Sequence, residues 1–305
     1  MRRAIRSLLV AALALSLLPA LASAQGATSF NGIGLVDYAR KPDFKVGDWV
    51  RYRMSGKSEL GMSDDYELTL LVAGEEDFWG DPGFWLETWV EGPDQPRRAT
   101  ASLVSYEAFT DTAAIQRLLL YTRKIITLLN EDGTPKIDVN KPASSTLKQR
   151  HDVMNPVSYS RHQLGRDTVT TPKGTFAVEK VLMKQGKGVT SAVGDSSIYT
   201  ELREDRTSHY SPLVPITHLV REDIVTGSTR KTWLIGRSGD AAAMNVRDRG
   251  EGAATLLDYG HGGLEPRMVP KKFQKSLAAQ AKASATAQPA KSATKPAAKP
   301  APKTP

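Results

Sequence analysis

From Phe44 to Tyr259 apolar residues recur mostly at every second position, the period of a strand with one face buried. Val50, Tyr52 and Met54 share one face of a first segment, with Trp49, Arg51 and Arg53 on the other. Tyr66, Leu68, Leu70 and Val72 repeat the pattern over Tyr66–Ala73. Gly80-Asp81-Pro82-Gly83 is then a strong turn ahead of a strand over Phe84–Val90, and Ala99–Val104 adds another. Pro172-Lys173-Gly174 is a second turn, because Pro presets one φ and Gly supplies the next unusual one. After it Phe176, Val178 and Leu182 face one way and Ala177, Val181 and Met183 the other, as in a strand covered on both sides. Strands follow near Ile198–Glu204, Ile216–Ile224, Arg230–Ile235 and Ala253–Tyr259. Lys184–Ser197 reads as a mobile loop and Thr226-Gly227-Ser228-Thr229 as a hairpin-type connection.

One segment departs from this rhythm. Ile115, Leu118, Leu119, Thr122, Ile125, Ile126 and Leu129 lie close to the i, i+3, i+4, i+7 template, predicting a helix over Asp111–Leu129 capped by Thr110 or Asp111. Asn130-Glu131-Asp132-Gly133 ends it and Pro135 prevents extension. Many short strands with one broad apolar helix predict a mainly β (α+β) fold. Its expected form is a curved antiparallel sheet, or unclosed half-barrel, wrapped around that helix.

The two ends differ from the body. Residues 1–24 carry Arg2, Arg3 and Arg6, an apolar run over Leu8–Leu21, and Ala22-Ser23-Ala24. That is the pattern of a signal peptide cleaved after Ala24, and it predicts a periplasmic or secreted protein with no transmembrane anchor in its mature form. Residues 25–41 form a lead-in and 42–270 the β-rich domain. Residues 271–305 are Ala/Lys/Pro-rich with almost no bulky apolar residue, predicting a disordered tail. The chain has no cysteine, which excludes a disulfide framework and lipidation at a new N-terminal Cys. Its net charge of +8 belongs to the ends: three arginines precede residue 25 and eight lysines follow residue 270. The body is mildly acidic, which gives no footprint for nucleic acid.

Little catalytic chemistry is visible. No Gly-x-Ser-x-Gly elbow, phosphate-binding loop, calcium loop or zinc spacing among His151, His162, His209, His218 and His261 is present, so neither a catalytic site, a metal site nor a cofactor is expected. Phe78, Trp79, Phe84, Trp85 and Trp89 instead crowd aromatic surface into a short stretch. The eight lysines of the tail would attract an anionic envelope surface.

Val46-Gly47-Asp48-Trp49-Val50-Arg51-Tyr52, Thr171-Pro172-Lys173-Gly174-Thr175-Phe176 and Ser211-Pro212-Leu213-Val214-Pro215-Ile216, behind a signal peptide, resemble exported bacterial envelope proteins similar to the lipoprotein-carrier (LolA/LolB-like) superfamily. The resemblance covers roughly residues 42–260 and implies a half-barrel whose apolar concave face holds acyl chains. The expectation is then a non-enzymatic protein binding a lipid or acyl-chain ligand between sheet and helix, lined by Trp85, Trp89, Leu118, Ile125 and Ile126. The rival is a structural or adaptor protein with a packed core, acting through its tail and a protein partner.

Overall fold

The computed structural model describes residues 32–280 except 37, 39, 60–62, 94–97, 112–113, 115–117, 131–132, 140–157, 194–195 and 235–243. Residues 1–24, where a signal peptide is expected, most of the Lys-rich tail, Ile115 and His151 lie outside the described residues. Eleven strands form one antiparallel sheet: β1 Asp48–Ser58, β2 Ser63–Phe78, β3 Asp81–Glu91, β4 Arg98–Ser105, β5 Thr122–Leu129, β6 Pro135–Val139, β7 Ser158–Thr171, β8 Gly174–Val193, β9 Ser196–Tyr210, β10 Leu219–Leu234 and β11 Met244–His261. Their order is β6-β5-β4-β3-β2-β1-β11-β10-β9-β8-β7. Consecutive strands are therefore neighbours except at one seam, where β6 and β7 are the two free edges. The sheet is an unclosed up-and-down meander.

The sheet curls toward one face. The Phe176 ring on β8 lies 6.4 Å from that of Tyr259 on β11, centroid to centroid, although β9 and β10 separate those strands in the order. Lys173, in the β7–β8 turn, pairs with Asp258 on β11. Neighbouring strands are about 4.8 Å apart, so contacts that skip two strands require curvature. The β9–β10 connection, Ser211–His218, folds into this inner side and buries Val214 and Ile216.

The expected sheet is present and the expected helix is not. Among the described residues of the 111–129 stretch, only Leu118–Tyr121, here α1, is α-helical. From Thr122 the chain runs as β5, paired with β4 and β6. Ser105 caps a short 3-10 turn over Tyr106–Thr110 instead of Thr110 or Asp111 capping a long helix. Pairing with β4 and β6 makes the choice, and the β-branched Thr122, Ile125, Ile126 and Thr127 suit the pleated surface it creates. Two further expectations are corrected. Lys184–Val193 belongs to β8 and Ser196 and Ser197 to β9, which pair with each other. Thr226–Thr229 lies within β10, paired on both sides. Polar and glycine residues without apolar alternation read as loop although their backbone is in a ladder.

Candidate functional site

The inner face is one apolar cluster drawn from β1, β2, β3, β4, β8, β10 and β11. Val50, Tyr52 and Met54 of β1 and Leu68, Leu70 and Val72 of β2 are almost fully buried in it. No long helix covers them among the described residues. Three short segments do so: residues 32–44, the Tyr106–Tyr121 stretch and the β9–β10 connection. The first contributes Leu35, Val36, Tyr38 and Phe44. Tyr38 lies 5.1 Å from Phe109, and Phe44 lies 4.8 Å from Phe84 and 5.5 Å from Phe109, ring to ring. The lead-in is thus part of the core. Burial pushes the Tyr38 hydroxyl far above its ordinary value.

Polar groups pin these covers in place. The Tyr52 hydroxyl donates to the Leu219 carbonyl at 2.8 Å and meets the Thr217 hydroxyl. Burial dominates in raising its pKa, against the lowering effect of Thr217. His218 Nε2 lies 3.1 Å from Asp43 Oδ2, joining the β9–β10 connection to the N-terminal segment. Ile216 and His218 hold left-handed φ of 68° and 52°. Such values cost a non-glycine residue about 1 kcal/mol each, here held by burial of both side chains.

Farther along β9 and β10 the buried positions turn polar. Ser208 donates to Glu222 at 2.8 Å, and Arg206 bonds to Glu222 at 3.3 Å and to Glu204. Burial alone would lower the Arg206 pKa, but Glu222 and Glu204 outweigh it and raise it. The Ser208 proton is committed to a carboxylate, and His209 alternates to the other face of the strand. Among the described residues no group of three or more His, Asp or Glu is placed to hold a metal.

The outer face of β1–β6 carries a second cluster: Leu71, Ala73, Trp85, Trp89, Ala101, Leu103 and Ile126, covered by Met268 and Val269. A C-terminal strap over Leu264–Gln280 crosses it. Glu87, fully buried between the two tryptophans in sequence, anchors the strap by accepting three backbone N–H groups: Arg267 at 2.6 Å, Met268 at 3.1 Å and Val269 at 3.2 Å. Trp89 Nε1 donates to it at 2.6 Å. Trp85 Nε1 donates to Glu76 at 3.0 Å, and Glu76 also pairs with Lys124. The Arg267 guanidinium lies 4.1 Å from the Trp89 ring centroid, a cation–π contact. Over β2 the strap lies against Gly74, where a Cβ would meet the Phe273 carbonyl oxygen at 1.7 Å. Lys271–Gln280 therefore belongs to the strap. Leu277 N donates to Glu75 Oε2 at 2.7 Å and Gln280 Nε2 to the Glu75 carbonyl at 2.8 Å, so the expected boundary at Lys271 falls inside a docked segment.

The five residues expected to line one site are divided. Trp85, Trp89 and Ile126 meet on the outer face beneath the strap. Leu118 packs against the inner cluster, and Ile125, half-buried, alternates with Ile126 to the opposite face of β5. Sequence reasoning missed Glu87, Gly74, Tyr38 and Phe44. The signal available for Glu87 was a lone carboxylate flanked by Leu86, Thr88 and two tryptophans: buried, it requires donors.

No protein-family model and no curated protein matches the chain. Solved structures do, among them three from bacteria. A protein assigned as a lipoprotein from Parabacteroides distasonis is 13% identical, with 74% of this chain and 99% of that chain covered and a TM-score of 0.29. A protein assigned as exported, with a YmcC-like fold, from Bacteroides fragilis is 10% identical over 73% and 99%, with a TM-score of 0.29. A LolA superfamily protein from Nitrosomonas europaea is 11% identical over 78% and 97%, with a TM-score of 0.26. No helix among the described residues is long and apolar enough to cross a membrane.

Proposed function

We propose that the protein is an exported, non-enzymatic carrier that holds a lipid or other apolar molecule against the inner face of its open sheet. One observation carries this reading. A wide apolar face is covered by three short, irregular segments, which can be displaced without breaking a strand pairing. Leu118 and Ile125 line the ligand's path near the β6 edge, whereas Trp85, Trp89 and Ile126 are occupied by the chain's own strap. The second reading, an adaptor with a solid core, is favoured by the Tyr38, Phe44 and Phe109 rings that already fill the space.

Native mass spectrometry of the mature protein from its own envelope fraction separates the two. The carrier reading expects a lipid-sized mass that is lost on denaturation, and uptake of a fluorescent fatty acid that Leu118→Trp lowers. A clean apo mass with no uptake leaves the adaptor.

A further inference from the structure

Of the two free edges of the sheet, β6 spans 5 residues and β7 spans 14. β8 pairs with one side of β7 over Ser158–Thr171, and no described strand lies beyond the other. The backbone groups on that side form a row open to a further strand. Every residue from Arg161 to Thr168 is exposed. One amide of this stretch already has a carboxylate as its partner: the Thr168 N–H donates to Asp167 Oδ1 at 2.7 Å.

The charges of this edge are sorted by face. The register of β7 against β8 shifts between Gln163 and Gly165, where Leu164 is the extra residue and Gly165 takes a φ of 102°. Arg161 is therefore opposite Met183 and Arg166 opposite Glu179. Those partners are an even number of positions apart on β8, so both arginines stand on one face. His162 and Asp167, opposite Leu182 and Val178, stand on the other. Glu179 is engaged by Arg40. Neither Arg161 nor Arg166 forms an ion pair with a described residue. One face of the open edge thus carries two uncompensated positive charges, about 13 Å apart along the strand.

We infer that this edge takes an extended acidic segment of a partner polypeptide as an added strand, with two of its carboxylates on Arg161 and Arg166. In strand addition the main-chain hydrogen bonds give affinity and the side chains of one face give selectivity. An extended chain returns to the same face at every second residue. Acids at i and i+4 therefore meet both arginines, whereas acids at i and i+3 point to opposite faces. A second copy of this edge would bring two more arginines to the same face, and like charge opposes that pairing. This docking stands apart from ligand holding on the inner face, and its test does not read ligand uptake.

The test is fluorescence anisotropy of the full chain with short capped peptides of alternating Val and Thr. One carries Glu at i and i+4, a second carries Glu at i and i+3, and a third carries Lys in place of Glu. The first should bind about threefold more tightly than the second, the third should not bind, and salt should weaken the first. Replacing both arginines (Arg161→Ser with Arg166→Ser) should abolish the difference between the two Glu peptides and leave the thermal midpoint unchanged, because both side chains are exposed. Thr168→Pro should lower binding of the first peptide about tenfold, since Pro is tolerated on an edge strand and removes an amide from it. Equal binding of the two Glu peptides, unchanged selectivity in the double Ser variant, or no binding at all would each overturn the proposal. Equal binding by every variant would put the peptide on the Lys-rich tail, and dimerisation in place of peptide binding would put a second copy on the edge; either result overturns it as well.

Discussion

The two halves of this sheet share backbone geometry and differ in what covers them. In the first half, β2 and β3 are buried on both faces: β2 from Leu68 to Ala73 and β3 from Gly83 to Trp89 are buried at every residue. Their sequences read as nearly continuous apolar runs, as expected of strands covered on both sides. In β7–β11 the outer face is a ladder of charges: Arg221 with Asp223 at 2.8 Å, Lys184 with Asp205 at 3.5 Å, Arg203 with Glu201 at 2.7 Å. Such exposed pairs contribute little to stability. Where β1 ends at Ser58, opposite Gly250, β10 continues from Thr226 to Leu234, a further distance of roughly 25 Å. The difference teaches that covering, more than strand pairing, divides this molecule into a rigid part and a solvated part. The agent that covers the outer face of the first half is the strap, held by one buried carboxylate.

The largest test of that contrast is Glu87→Ala. Three strap amides and the Trp89 indole would lose their acceptor inside an apolar layer, a loss of about 3–5 kcal/mol. Urea denaturation should show it, with faster amide exchange at Met268 and Val269. Unchanged stability would mean that the strap adds nothing to β1–β6.

A paired glycine experiment comes next. Gly74→Ala forces the strap off β2, because a Cβ there would overlap the Phe273 carbonyl, and should destabilise by about 2–3 kcal/mol. Gly227→Ala, in the solvated part of β10 with nothing within 4 Å, should be neutral or stabilising by about 0.5 kcal/mol. Similar effects at both sites would erase the distinction between the halves.

The smallest expected effect is one of pH. Burial holds the His209 imidazole on β9 below its ordinary value. The folded protein then binds that proton less tightly than the unfolded chain. This contribution is complete above the unfolded value of about 6.5 and is lost as pH falls through the lower folded value. Thermal midpoints between pH 7 and 5 should fall more steeply for the wild type than for His209→Gln. Parallel curves would remove His209 as the source.

Strands carried by clear alternation, such as Val50-Tyr52-Met54, were legible in the sequence, as was the turn at Pro172–Gly174. The turn expected over Gly80–Gly83 falls instead at Trp79–Gly80, and Asp81–Gly83 already pair with β2. Thr122–Leu129 was not, because its apolar residues satisfy a helical period and a strand period together; the choice is made by pairing with β4 and β6. The far ends of β8, β9 and β10 were hidden because their polar and glycine residues carry no apolar alternation. The strap was hidden because Leu264, Met268, Val269 and Phe273 are too few and too widely spaced to announce an element. Their partners lie about two hundred residues earlier on β3, and that distance defeats any local reading. The division of the five expected lining residues between two faces follows from the same error: once Thr122–Leu129 is a strand, Ile125 and Ile126 must point apart.

The pairing of β1 with β11 also fixes an order of assembly. Every other ladder joins strands adjacent in the chain, so hairpins can form as soon as their two strands exist. β1, at the middle of the sheet, finds β2 at once and waits for β11, as in Arg51 opposite Asp258. Until then the polypeptide is two ribbons, β1–β6 and β7–β10, each with an unsatisfied inner edge. High contact order of this kind slows folding and leaves strand edges open to wrong partners. The centre of the sheet is the last part that can close.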